Sequence, residues 1–225
     1  MRTAIPAVLT VVVLAGCGGV NHPPGARQPH ATDPAATSSS GGLIVLSETS
    51  DPSDPAAPEP IAFTGTVDLV EGVWFLGRDL LDLPDDPTAG QRNGLLGASG
   101  GDIVDIFSPA LYGQYRVEVR ELDRRPPVLS WCEDVVEVSY RHRGGQLVMG
   151  GFEDDQQLGR LTEGSYRVRL CVEGLDRVVA ETEEEEFQTY SSRWLFQLWP
   201  ARRAPDRVLR VGSTFAEEAH AGVRG

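Results

Sequence analysis

Ser99 is the first residue whose setting could do chemistry, because Gly97-Ala98-Ser99-Gly100-Gly101 fits the Gly-x-Ser-x-Gly pattern of a hydrolase nucleophile. That nucleophile needs a strand-to-helix turn and a histidine base, but Asp102–Phe107, which follows, is typical of a strand. The candidate base is His142, whose neighbours Arg141 and Arg143 are expected to lower its pKa. An envelope hydrolase is therefore a remote alternative, and we expect a protein that is not an enzyme.

Cys17 is a second candidate for chemistry, because it directly follows an apolar segment. Met1-Arg2 precede the apolar segment Ala4–Leu14, which as a helix would reach about 16 Å, half of a 30 Å hydrocarbon core. Such a run is typical of a cleaved signal peptide. Leu14-Ala15-Gly16-Cys17 resembles the lipobox of bacterial lipoproteins. The resemblance implies a signal peptide at 1–16 and a Cys17 acylated with fatty acids such as palmitate, on the extracytoplasmic face of the cell membrane. An uncleaved anchor, or a chance cysteine after a secretory signal, is the alternative.

Cys132 and Cys171 complete the set of three cysteines. An extracytoplasmic compartment allows disulfides, and a bridge between them would close a loop of about 40 residues. Neither residue has a Cys-x-x-Cys partner, which argues against redox catalysis and a cysteine zinc site. We expect a disulfide, with two buried thiols as the alternative.

Carboxylates are abundant, but their spacing does not predict a metal or cofactor. The chain lacks an Asp-x-Asp-x-Asp calcium loop, and a loop calcium ion at Asp154-Asp155 is the alternative to no metal. The run Glu183–Glu186 is typical of a solvated hairpin tip. We therefore expect no cofactor and no metal.

The charge balance limits the partners. The net charge is −13, and every basic residue is arginine because the chain has no lysine. Such an acidic protein repels nucleic-acid phosphates and anionic headgroups, which argues against nucleic-acid binding. Membrane attachment would then depend on acyl chains at Cys17, of which two or three hold a protein durably.

Four tryptophans offer a second kind of site, because aromatic rings stack on sugars. Trp194 and Phe196 alternate on an apolar strand and are expected in the core. Trp131 and Trp199 adjoin proline-containing turns, and we expect them to be partly exposed and to be the candidate binding residues. Core or rim packing is the simpler expectation for these rings.

The elements that would position these residues begin after a long spacer. Residues 17–60 are rich in proline, glycine and serine and bury too little apolar surface to fold, although Leu43–Leu46 could add a strand. Residues 61–212 are expected to form the folded domain, and 213–225 a short helix or frayed tail. Thr214–Glu217 predicts the start of that helix.

The body has the two-residue period of β-strands, most clearly over Tyr115–Arg120. Arg193–Trp199 is apolar on nearly both faces, which predicts a central strand covered on each side. Further strand candidates are Val73–Leu76, Ile103–Phe107, Val135–Tyr140, Gln146–Met149, Tyr166–Leu170 and Val208–Val211. Many short strands at regular spacing predict an all-β fold, an antiparallel, jelly-roll-like sandwich.

The segments Trp131–Ser139, Tyr166–Gly174, Leu198–Ala201 and Ala204–Val208 resemble a group of β-rich proteins common in actinobacteria. The resemblance spans about residues 94 to 211, supports the β-rich fold and carries over no catalytic residue. The sequence thus predicts a lipid-anchored binding or structural module for an envelope protein. The alternative is a carbohydrate-binding module for cell-wall or extracellular glycan.

Overall fold

The computed structural model describes residues 59–69, 72–78, 85–151, 155–182 and 187–223. The predicted signal peptide, Cys17, the candidate strand Leu43–Leu46, Asp154 and the predicted hairpin tip Glu183–Glu186 lie outside this described part. Within it, no helix combines the length and the apolar character needed to cross a membrane.

The described chain forms two β-sheets and two short helices. The six-stranded sheet contains β1 (Ala62–Leu69), β5 (Gly113–Glu121), β10 (Thr189–Pro200), β9 (Gly164–Glu173), β6 (Asp134–His142) and β11 (Arg207–Arg210), in that spatial order. The five-stranded sheet contains β3 (Leu96–Gly97), β4 (Ile103–Phe107), β2 (Val73–Gly77), β7 (Gly145–Gly150) and β8 (Asp155–Leu161), in that spatial order. The helices are α1 (Leu175–Glu181) and α2 (Thr214–Gly222).

Among the described strands, pairing is antiparallel apart from one pair, in which β5 and β10 run parallel. Arg193 on β10 lies beside Arg116 on β5, and Trp194 beside Val117. Because β5 and β10 run in the same direction, both strands begin at the same end of the sandwich. The expected all-β sandwich is confirmed.

The core lies between the sheets, where alternate residues of each strand meet. Trp74 from the five-stranded sheet stacks on Tyr115 with ring centroids 5.0 Å apart and approaches Trp194 at 4.9 Å. Trp194 and Phe196 are buried in this core, which confirms the prediction for both. Their neighbours Leu195 and Gln197 are also buried, on the other face of β10, so β10 is covered on both sides as expected.

The helices differ from expectation in two ways. The short C-terminal helix is present as α2, but its N-cap is Ser213, whose side chain accepts from the Ala216 amide at 3.1 Å. Ala216 is buried in the core, so α2 packs on the domain and is not a frayed tail. Helix α1 was not predicted, since its seven residues, about two turns, are too few to show a helical period.

Candidate functional site

Ser99 and His142 do not form a catalytic pair in the described structure. The Ser99 hydroxyl donates to the Asp86 carbonyl at 2.8 Å. The His142 ring is buried, with Nδ1 2.7 Å from the Tyr140 hydroxyl and Nε2 3.3 Å from the Gly145 carbonyl. Burial is the main cause that lowers the pKa of His142, rather than the flanking arginines we expected. The Gly-x-Ser-x-Gly segment here belongs to a loop and a two-residue strand, without a following helix.

A strap of residues 122–133 crosses the outer face of the six-stranded sheet. Arg169 of β9 donates to the carbonyls of Pro126 and Pro127 at 2.9 and 3.1 Å. The Cys132–Cys171 disulfide, with Cα atoms 5.2 Å apart, fixes the end of the strap to β9 and confirms the expected pairing. A small second core forms beneath it from Cys132, Val135, Cys171 and Leu195.

Under the strap lies a buried ion pair. The Arg169 guanidinium is 2.7 Å from the Glu137 carboxylate, and the two side chains are almost fully buried. Burial opposes ionisation of Glu137, but hydrogen bonds from Arg169 and Arg125 outweigh it and hold the pKa of Glu137 below its ordinary value. Since all these groups are engaged with one another, this cluster holds the strap in place and offers no free group to a ligand.

The two candidate tryptophans lie in different settings. Trp199 is only 4% exposed, so the expectation of partial exposure is wrong for it. The physical reason is that the Arg169 guanidinium lies over its ring, 5.2 Å from the centroid, on the covered part of the sheet. Trp131 is half-buried as expected, with the Arg193 guanidinium 3.8 Å from its ring centroid. The structure therefore does not bring the two rings together as an exposed platform.

The other part of the same sheet face is open to solvent. On β1, β5 and the first half of β10, the side chains that point away from the core include exposed Thr66, Arg116, Arg120 and Arg193. Arg120 pairs with Glu118. Arg116 and Arg193 form no ion pair with any described residue. We call Arg116, Arg193 and Trp131 the arginine face. Its two cations lie together on a chain whose net charge is −13.

A cluster of exposed apolar side chains lies where β5 and β10 begin. Leu111, Tyr112 and Phe187 are 63%, 54% and 60% exposed, and we call them the apolar end cluster. The backbone joins the two segments, since the Gln114 amide donates to the Gln188 carbonyl at 2.8 Å. The Tyr190 hydroxyl donates to the Tyr112 carbonyl at 2.9 Å.

Gly113 allows this tight junction. Its φ of 134° lies in a region that side-chain-bearing residues rarely adopt. A Cβ at this position would also lie 2.4 Å from the Tyr190 ring. The backbone that presents the cluster is thus fixed by local geometry.

A polar cleft of about 440 Å³ lies elsewhere, between residues 89–99 and the segment Arg203–Asp206. Its polar groups are largely used within the protein. The Asp206 carboxylate accepts from the Arg92 and Asn93 amides at 2.7 and 3.0 Å, and the Ser139 hydroxyl donates to the Ala204 carbonyl at 2.9 Å. Among the described residues, no group of three or more histidine, cysteine or carboxylate side chains is placed to hold a metal ion.

The fold and these surfaces define the chain as a β-sandwich in which the outer face of the six-stranded sheet is partly covered by the strap and partly open to solvent. No protein-family profile and no curated protein matches it. Among solved structures, 65% of the chain is similar to the whole of ComJ from Bacillus subtilis, an inhibitor of the DNA-degrading activity of NucA, with a TM-score of 0.42 and 9% identity. The same share of the chain is similar to 99% of the crocagin biosynthetic gene J product, with a TM-score of 0.37 and 16% identity. Likenesses this distant do not bear on what the chain binds.

Sequence reasoning missed Arg116 and Arg193, although the alternating patterns around Tyr115–Arg120 and Arg193–Trp199 place both outside the core. The two arginines are neighbours because β5 and β10 pair in parallel. The sequence does not show that two strands so far apart along the chain pair with each other. The apolar end cluster was missed because Leu111, Tyr112 and Phe187 lie in loops. Their exposure depends on how those loops turn.

Proposed function

We propose that the chain is a lipid-anchored, extracytoplasmic module that binds a protein partner of the cell envelope without catalysis. The observation that carries the proposal is the apolar end cluster. Single exposed apolar side chains are normal, whereas three large ones on two joined segments are characteristic of a contact surface. The hydrogen bonds between those segments hold the cluster in place before binding, which lowers the entropy lost on association.

The tether in this proposal is supported by the lipobox-like segment before Cys17 and by the acidic charge of the chain. A protein with net charge −13 is repelled by anionic headgroups, so the proposal assigns membrane attachment to acyl chains. The spacer at 17–60 would let the domain search for a partner near the membrane. The glycan alternative rested on Trp131 and Trp199, and the burial of Trp199 removes one of those rings.

Site-specific photo-crosslinking in cells tests the proposed function. Amine-reactive reagents have no lysine to attack in this chain, so the crosslinker has to be introduced as Phe187→benzoylphenylalanine. We expect one defined protein partner to be crosslinked in native membranes. The Leu111→Ser/Tyr112→Ser variant should lose that product.

The matched control is Val211→Ser, which removes an apolar side chain that is 44% exposed and lies outside the cluster. This control should leave the crosslinked product unchanged. A blank with the native cluster, or a product that survives Leu111→Ser/Tyr112→Ser, would refute protein binding through this end.

A further inference from the structure

The arginine face contains an electrostatic feature that the fold itself does not explain. Arg116 and Arg193 are paired in register on neighbouring strands, which lie about 4.8 Å apart. Like charges directly opposite each other destabilise a sheet. Glu173 is in register with Arg193 on the other side, yet no described carboxylate forms an ion pair with either cation. The guanidiniums of Arg116 and Arg193 are therefore available to a carboxylate from another molecule.

Trp131 gives this positive charge a fixed direction. The Arg193 guanidinium lies 3.8 Å from the centre of the Trp131 ring, at the end of the strap that the disulfide fixes. A guanidinium stacked on an aromatic face keeps the N–H groups at its edge free, and that edge matches a carboxylate in a two-point hydrogen bond. This arrangement favours the binding of carboxylates over the binding of other anions.

The width of the arginine face and its distance from the apolar end cluster limit what could bind there. Two strands span about 10 Å, the width of one extended segment. Along β5, Arg116 lies about 13 Å from Tyr112, four positions away, and along β10, Arg193 lies about 20 Å from Phe187, six positions away. A single occupant could thus contact both surfaces. A long polyanion would meet the acidic remainder of a chain with net charge −13, whereas a short acidic segment meets only this patch.

We propose that Arg116, Arg193 and Trp131 form a docking surface for a short, extended, carboxylate-rich segment of a protein partner. The inference rests on the proposed function and specifies the chemistry of the partner. The carboxylates pair with the two guanidiniums, and the Trp131 ring supports Arg193 from behind. The apolar end cluster contacts the adjacent part of the same partner.

Fluorescence anisotropy with a defined probe tests the docking surface. The probe is a labelled ten-residue peptide of alternating glutamate and serine, titrated with the full-length, lipidated chain in a non-ionic detergent. We expect binding that weakens with added salt, since the contacts are exposed ion pairs. Arg116→Gln/Arg193→Gln should weaken it about tenfold, and Trp131→Leu about threefold.

The control variant is Arg202→Gln, which removes an exposed arginine outside the face and should bind like the native chain. A second readout is tryptophan emission. Trp74, Trp194 and Trp199 are buried, so a change on peptide binding reports Trp131. Equal binding of a glutamine–serine peptide, equal losses with Arg202→Gln, or tighter binding of a DNA oligonucleotide through the same residues would each overturn the proposal.

The two proposals fail separately. If the glutamate peptide does not bind while crosslinking at Phe187 still depends on the apolar end cluster, the docking surface is wrong and protein binding stands. If the peptide binds through Arg116 and Arg193 while crosslinking at Phe187 fails, the docking surface stands and the apolar end cluster no longer supports the proposed function.

Discussion

Glu137 and Arg169 show how a buried charge is tolerated only as a pair. Breaking a buried pair costs about 3–5 kcal/mol, and Arg169→Met is expected at the low end because Glu137 keeps its contacts with Arg125 and Arg167. We expect Arg169→Met to lower the free energy of unfolding by about 3 kcal/mol in urea titrations at pH 7.

The double variant Glu137→Leu/Arg169→Met should lose less than Glu137→Leu alone, because Glu137→Leu leaves both buried guanidiniums, Arg167 and Arg169, without a carboxylate. Arg202→Met, on an exposed arginine, should change stability by less than about 0.5 kcal/mol. A double variant that is less stable than Glu137→Leu alone would show that the unpaired Arg169 charge is not the source of the effect.

Asp105 makes the opposite case, since its carboxylate is buried without comparable support. Its Oδ2 has no hydrogen-bond partner in the described structure, and burial raises the pKa of Asp105 to about 6. A folded-state pKa above the unfolded value means that the neutral acid favours folding. This contribution is complete below about pH 4 and is lost as the pH rises through about 6.

We therefore expect Asp105→Asn to raise the free energy of unfolding at pH 7.5 by about 2 kcal/mol. At pH 4 the variant and the native chain should be nearly equal. The difference in stability between the native chain and the variant isolates the contribution of Asp105. The lowered pKa of Glu137 changes stability with pH in the opposite direction, but it does so equally in both proteins and cancels. A difference that does not change between pH 4 and 7.5 would contradict the assignment.

At the scale of elements, the strap depends on its disulfide. The bridge closes a loop with a sequence separation of 39, for which chain entropy predicts about 3–4 kcal/mol of stabilisation. We expect Cys132→Ala/Cys171→Ala to lose that amount in urea titrations. The native chain treated with a thiol reductant under unfolding conditions should match it. An unchanged unfolding midpoint in both would show that the strap is held by Arg169 and its other contacts alone.

The elements also show what sequence can and cannot give. The strands with clear alternation, such as those around Tyr115–Arg120 and Ile103–Phe107, were predictable because one face is buried. β1 and β8 were missed, since Ala62–Leu69 and Asp155–Leu161 carry glycine and polar residues at positions that blur the two-residue period. The burial of Trp199 could not be predicted from the sequence, because the side chain that covers its ring is Arg169 on another strand. Local patterns predict which residues face inward, but not which outward faces another segment covers.

For the whole molecule, the proposed acyl tether at Cys17 would decide where binding takes place. We expect Cys17→Ser to move the protein from the membrane fraction to a soluble fraction, because acyl chains rather than charge would hold it. The control is Cys132→Ala/Cys171→Ala, which should remain in the membrane fraction. Intact-mass measurement of the native protein should show an acylated Cys17 at the mature N-terminus. An unacylated mature chain would contradict the tether.

Hydrogen–deuterium exchange on the full chain, alone and with the crosslink-identified partner bound, tests most directly whether a protein partner binds where β5 and β10 begin. Binding at the shared start of β5 and β10 predicts slower exchange over 111–116 and 187–193. Exchange at 203–206, beside the polar cleft, should not change. Protection confined to 203–206, or no protection at a saturating concentration of partner, would contradict it.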